Sequence, residues 1–240
     1  MRNVILLLLM IGGISCESKH ILFRDNFEGH TFGEVPQAPW EKAGAGAVRI
    51  DTAKRYSGRQ SVHFTSGEGY KNRALIGLSH IFPVPDNQYY GSLQLYVTKA
   101  APDGIHWTMI QSAGKVPGKN YRSEVRYGGQ HQQQLMANYE TMGVASDCWQ
   151  HSSVKIPEGE WCTLKWFFDG NTNTMKLWLN GSPVEEITVT GSGQGCVSGE
   201  TQGQWNFPVF EDVFIGWGDY QTGGGTRDVW IDDVKIWTVR

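Results

Sequence analysis

No segment of this 240-residue chain keeps a helical apolar period for three turns. Short β-type runs recur instead, among them SVHFTS, YYGSLQLYV, IHWTMIQ, SEVRYGG, QLMANYE, EWCTLKWFF, TMKLWLNG, DVFIGWG and DVWIDDVKIW, separated by Gly, Pro, Asn and Asp clusters. Strands of this kind bury themselves face to face, so the expected fold is all-β: a jelly-roll sandwich of two antiparallel sheets. The stretch FFDGNTNTMKLWLNG is predicted to be a hairpin that turns at Asp169 to Thr174.

Before the first strand comes MRNVILLLLMIGGISCES, with Arg2 as a short basic region, an apolar run from Val4 to Ile11, and small residues ending at Cys16. This reads as an export signal over residues 1–16, too short for a spanning helix. Gly13-Ile14-Ser15-Cys16 resembles a lipobox, in which the cysteine is lipidated and tethers the protein to a bacterial outer membrane or cell surface; plain secretion is the alternative. Residues 17–240 contain no linker, repeat or charge block and read as one domain, expected to be monomeric. A net charge of −3 without a basic cluster excludes nucleic acid as an implied partner, and leaves the lipid anchor as the only link to a membrane. An exported chain can oxidise its cysteines. Cys148 and Cys196 lie in loop-like sequence while Cys162 alternates with Leu164, Trp166 and Phe168 as a core residue would, so the favoured pairing is Cys148–Cys196.

The two ends of the mature chain carry carboxylates in unusual company. In VWIDDVKIW, strict alternation puts Trp230, Asp232, Val234 and Ile236 on one face, and a carboxylate among apolar residues needs a partner. A structural calcium ion held by Glu28, Asp232 and the turn at Ser57 would supply one. A turn cap, or a pairing of Asp232 with Arg55, would serve equally.

In NYRSEVRYGGQ a strand aims Arg122, Glu124 and Arg126 at one face. Three consecutive strands would then let His106, Arg126, Gln130 and Asn138 converge. That set suits β-elimination in a uronic-acid polymer. An Arg, Asn, Gln or His paired with the substrate carboxylate stabilises the charge that develops when a base removes the C5 proton, and an acid protonates the departing O4. Arg126 with Gln130 or Asn138 would take the first role, and His106 or a tyrosine the second. Tyr220, before the loop QTGGG, is the candidate acid.

RSEVR, Arg122 to Arg126, resembles the R-[TS]-E-[LV]-R pattern of jelly-roll alginate lyases. Over most of the mature chain, the order FEG, YSG, GEGY, IHWTM, RYGGQ, LMANYE, EWCTLKW, LWLNG, FIGWGDY and WIDDV is similar to the secreted jelly-roll proteins first noticed among cellulose-induced fungal products, which resemble glucuronan lyases. This resemblance implies a concanavalin-like jelly roll, a calcium ion tying the ends together through Glu28 and Asp232, and a cleft on the concave sheet holding His106, Arg126, Gln130 and Asn138. It implies an acidic polysaccharide as partner and lyase chemistry as the activity.

Lys165 is placed at the same face as a substrate contact beside Arg122 and Glu124, with snorkelling to the surface as the alternative. Tyr139, His63 and His80 read as structural, and His131 and His151 lack a zinc spacing. A non-catalytic glycan-binding surface lipoprotein is the second reading, with Trp107, Trp149 or Trp217 as stacking platform. A glycoside hydrolase needs two carboxylates across the cleft. Glu124 and Glu140 are available, but Glu124 between two arginines is expected to have a lowered pKa, which makes it a poor acid.

Overall fold

The computed structural model describes residues 18–144, 146–191 and 203–239; the signal, Cys16 and Cys196 lie outside the described residues. Two antiparallel sheets face each other, and among the described residues there is no α-helix. The front sheet runs Asp147–Lys155, Gln134–Met142, Arg122–Gln130, Trp107–Lys115, Val213–Asp219, Ala74–Leu78, Glu41–Ala43. The back sheet runs Ser182–Pro183, Thr174–Leu179, Trp161–Asp169, Gln88–Val97, Arg227–Val239, Ser61–Ser66, Ala47–Asp51, and the far half of Arg227–Val239 also pairs with Lys19–Asp25. This is the jelly roll expected from the strand pattern. Its hairpin turns between Asp169 and Thr174 as predicted.

Strand alternation builds the core directly. In Gln88–Val97 the residues Tyr89, Leu93, Leu95 and Val97 point inward while Tyr90, Ser92, Gln94 and Tyr96 point out. Cys162, Leu164, Trp166 and Phe168 fill the inner face of the neighbouring strand, and Cys162 is a buried free thiol whose pKa burial pushes up to about 12. The proposed partner of Cys148, Cys196, lies outside the described residues.

The glycines of RYGGQ are set by close approach. A Cβ on Gly129 would stand 2.2 Å from the Trp107 ring, and one on Gly128 would stand 1.8 Å from the Trp107 carbonyl oxygen. Both positions therefore exclude a side chain, and Trp107 packs flat beneath the strand against Trp217, ring centroids 4.3 Å apart. Trp107 and Trp217 are fully buried in the core. They are no stacking platform for a substrate.

Strict alternation fails in Arg227–Val239. The pairing with Gln88–Val97 shifts between Asp232 and Lys235, and Asp233 has φ 49, so a β-bulge returns Val234 and Ile236 to the core and leaves Asp232 on the outer face. Asp232 is nonetheless fully buried, because the turn Tyr56–Gln60 folds over it. Its Oδ2 accepts from the Tyr56 and Ser57 amides at 3.0 Å each, and its Oδ1 from the Asp233 amide at 2.8 Å. Glu28 grips the same turn from the other side through the Arg59 and Gln60 amides at 2.7 and 3.0 Å.

The donor set expected for calcium thus gathers at one place, and its chemistry, all oxygen with two carboxylates, suits a hard cation. The carboxylate oxygens face amide hydrogens, and among the described residues no three His, Cys, Asp or Glu side chains form a metal-holding group. The hydrogen bonds themselves tie the two ends of the chain together. Asp232→Ala, which leaves three amides without an acceptor, should cost about 3–5 kcal/mol and lower Tm by about 6–20 °C for a chain of this size. Asp232→Asn keeps an acceptor and should cost less. Thermal melts that place both variants within a degree of wild type would show that the turn is held by something else.

Candidate functional site

The strand Arg122–Gln130 lies in the middle of the front sheet, and its register decides what meets on the outer face. Arg126 stands opposite Gln111 on one side and Asn138 on the other, and Asn138 in turn stands opposite Trp149. One step along, Glu124 is opposite Glu140, and Glu140 opposite Asp147. A register shift between Thr108 and Ile110 brings Gln111 to this face. Strict alternation from His106 would put Gln111 on the opposite face.

Arg126 is buried under this face. Its Nη1 donates to the Tyr220 hydroxyl and its Nη2 to Glu140 Oε2, while Glu124 Oε1 lies 3.3 Å from Nη1. With only 3% of its surface exposed and its two terminal nitrogens engaged, it does not offer a free fork to a substrate carboxylate, as the sequence reading had it. Burial disfavours its charge, but Tyr220, Glu124 and Glu140 outweigh that and keep its pKa raised. Glu124 corrects a second expectation: burial raises its pKa despite the arginine beside it. Glu124 and Glu140 share one guanidinium, so they do not form an acid pair across a cleft. Arg122 stands apart at the strand's start, paired with Glu211.

Tyr220 is the centre of an aromatic column. Its ring stacks on Tyr70 at 4.7 Å on one side and on His106 at 4.3 Å on the other, and the Arg73 guanidinium caps Tyr70 at 4.2 Å. The 3₁₀ turn Tyr70–Asn72 positions Tyr70. A pair of backbone and side-chain bonds fixes His106 to the next loop: the Tyr220 amide donates to the His106 carbonyl at 2.8 Å, and the His106 amide to Gln221 Oε1 at 2.7 Å. Burial raises the Tyr220 pKa well above its usual value, with Arg126 opposing. Burial, Arg126 and His151 together lower the His106 pKa to about 3. At neutral pH the column therefore holds a protonated phenol against an uncharged imidazole.

Beside this column opens a cleft of about 310 Å³ lined by His106, Gln130, His131, Met136, Asn138, Asp147, Trp149, His151 and Gln221. His106, Gln130 and Asn138 meet there as expected. Asn138 Nδ2 donates to Asp147 Oδ1 at 2.9 Å and to the Cys148 carbonyl at 3.0 Å, which leaves its buried Oδ1 without a partner. His131 and His151, 5.5 Å apart, both line the cleft, and burial lowers the pKa of His151. Trp149 is half-buried on the wall. Of the three proposed platforms only Trp149 is available. Lys165 belongs to the back sheet, its ammonium 4.2 Å from the Trp178 ring centroid, and reaches no part of this cleft. Tyr139 is core, stacked on Trp205, and His63 is structural, lying flat on Trp230 at 4.0 Å.

Tyr70, Gln111, Asp147 and Gln221 were not singled out from sequence. Gln111 was hidden by the register shift, and the others come from loops or strand ends that carry no periodic signal.

The profile of the Cip1-like core domain of polysaccharide-lyase-like proteins matches residues 28–239. The chain belongs to this family. Among solved structures, the cellulose-induced protein Cip1 shares the fold with a TM-score of 0.62 and 24% identity, over 89% of this chain and 96% of that one. An endo-β-1,4-glucuronan lyase from the fungus Trichoderma reesei matches with a TM-score of 0.62 and 14% identity, over 91% of this chain and 96% of that one. The binding domain of Paraclostridial mosquitocidal protein 1 matches with a TM-score of 0.52 and 9% identity, over 90% of this chain and 48% of that one. At these identities the likeness is one of fold. No curated protein matches the chain. For a member of the Cip1-like family the cleft beside Tyr220 is the natural site to test, because it joins the titratable pair His106 and Tyr220 to a polar wall.

Proposed function

We propose that this Cip1-like protein is a polysaccharide lyase that cleaves a uronic-acid-containing glycan by β-elimination at the Tyr220 column. The observation that carries the reading is the stacking of neutral His106 on the ring of Tyr220, whose hydroxyl is held by Arg126. An uncharged imidazole has a lone pair to accept the C5 proton, and the protonated phenol has a proton for the departing O4. Arg126 then acts on the acid: the phenolate left when Tyr220 gives up its proton is stabilised by a guanidinium already in place. The amides of Gln130 and Gln221 line the side of the cleft next to His106 and are the groups available to the substrate carboxylate.

One observation favours the alternative, a non-catalytic glycan receptor. No Lys or Arg is among the residues lining the cleft, so the polar groups that meet a uronate there are amides, imidazoles and the Asp147 carboxyl. Digestion of a panel of acidic polysaccharides, read by the ultraviolet absorbance of the new C4–C5 double bond, separates the two. Growth of that absorbance with one polymer supports the lyase. Binding without absorbance assigns the receptor.

Two expectations outside the cleft stand as proposals of the same kind. Calcium at the Asp232 turn would be established by a calcium-dependent rise in Tm that Asp232→Asn abolishes, while identical melts with calcium and with chelator would leave the amide hydrogen bonds as the whole tie. Lipidation at Cys16 would be established by release of Cys16→Ser from membranes with the domain still folded.

A further inference from the structure

A row of three cations lies on the sheet opposite the cleft. Arg24 stands directly opposite Lys235, Lys235 opposite Ser92, Ser92 opposite Lys165, and Lys165 opposite Trp178. Directly opposed residues share a face, so the three cations form one row across the outer side of the back sheet. At the usual spacing of strands, the backbones of Lys235 and Lys165 are about 10 Å apart. Like charges in direct cross-strand opposition, as at Arg24 and Lys235, are destabilising unless something neutralises them. Among the described residues none of the three makes an ion pair.

Two of the three cations, Arg24 and Lys235, line an open groove of about 780 Å³ whose floor carries Ser92 and Gln94, and Lys165 stands one strand beyond Ser92. Two carboxylates, Asp25 and Asp233, line the same groove and are already engaged. Asp25 accepts from the Phe27 amide, His30 and the Trp40 indole, and Asp233 Oδ1 from the Ser57 hydroxyl. Two half-buried tyrosines flank the row, Tyr90 on one side and Tyr96 on the other, each backed by a buried tryptophan, Trp237 at 5.5 Å and Trp230 at 5.9 Å.

The geometry points to a second glycan-binding surface on the back sheet, taking a stretch of acidic polysaccharide whose carboxylates meet Arg24, Lys235 and Lys165. The cations call for an anion, and a hydroxyl and amide floor between aromatic rings calls for a sugar. An anionic lipid surface would meet the charges but not a recessed polar floor. This surface would hold the polymer while the cleft, which is lined by no Lys or Arg, works on a neighbouring segment. It takes its ligand class from the proposed function but stands on a different face.

Binding of polyglucuronate and polygalacturonate to the whole protein tests it, with Arg24→Glu/Lys235→Glu as the variant because both side chains are exposed. Wild type should bind one polymer with an affinity that falls as salt rises, and the double reversal should weaken it by about tenfold or more. Hydrogen exchange with a tetrauronate should show protection in Gln88–Val97 and Arg227–Val239. Trp178→Ala, which removes a ring without touching charge, should give a smaller loss. Unchanged affinity in the double reversal, loss of binding by Trp149→Ala alone, or tighter binding to phosphatidylglycerol vesicles than to either polymer overturns the proposal. Cleavage without charge-dependent binding refutes this surface and spares the lyase reading. Charge-dependent binding without cleavage does the reverse.

Discussion

Tyr220→Phe should lose turnover of a cleavable polyuronate by about 10²–10⁴-fold, the range over which a positioned acid contributes. The substitution removes one oxygen and keeps the ring between Tyr70 and His106, so the fold should hold and KM should change little. Arg126→Lys is the companion. Lysine keeps a charge near the phenol but lacks the fork that reaches Tyr220 and Glu140 together, so kcat should fall by about tenfold or more with a smaller change in KM. Arg126→Ala should be worse in a different way: it leaves Glu124 buried without its guanidinium and should cost about 3–5 kcal/mol of stability. The contrast separates the roles. A Tyr220→Phe enzyme with wild-type kcat would remove Tyr220 from the chemistry, whatever Arg126 does to stability.

The face that carries this site was legible in the sequence, but the wiring on it was not. Alternation in RSEVRYGGQ and QLMANYE placed Arg126 and Asn138 on one outer face, and the structure pairs them in register. What alternation does not encode is depth. Arg126 was read as a free grip for a carboxylate because an exposed strand was assumed, whereas Tyr220 covers it and two glutamates neutralise it. The same blindness to depth reversed the direction of the Glu124 pKa. Two local irregularities account for other errors, since one extra residue flips every later side chain to the other face. The bulge at Asp233 moved Asp232 out of the core, and the shift near Thr108 concealed Gln111. Lys165 was placed on the wrong sheet because strand order does not follow from strand pattern. Trp107 and Trp217 went to the core, as most tryptophans do. Trp149 alone among the candidate platforms sits at the cleft, on an edge strand of the front sheet.

His106 should make the protein sensitive to acid in a window set by its own titration. In the unfolded chain its pKa is near 6.5, and in the fold burial first, then Arg126 and His151, lower it to about 3. Between those values the unfolded state binds a proton that the native state does not, so stability is complete above pH 6.5 and is lost as pH falls toward 3. The loss attributable to this one group should reach about 2 kcal/mol at pH 5 and about 4–5 kcal/mol near pH 3. His106→Phe keeps a ring against Tyr220 and removes the titration, so denaturant melts of the variant should lack this part of the acid dependence while matching wild type more closely at pH 7.5. The catalytic side runs the other way. If His106 is the base, it stays unprotonated in the folded enzyme at pH 5, so kcat/KM should persist there instead of falling below pH 6.5, for as long as the protein remains folded. A proton resonance of His106 that titrates near pH 6.5 in the native protein would refute both statements at once, since it would put the imidazole in water and not against the Tyr220 ring.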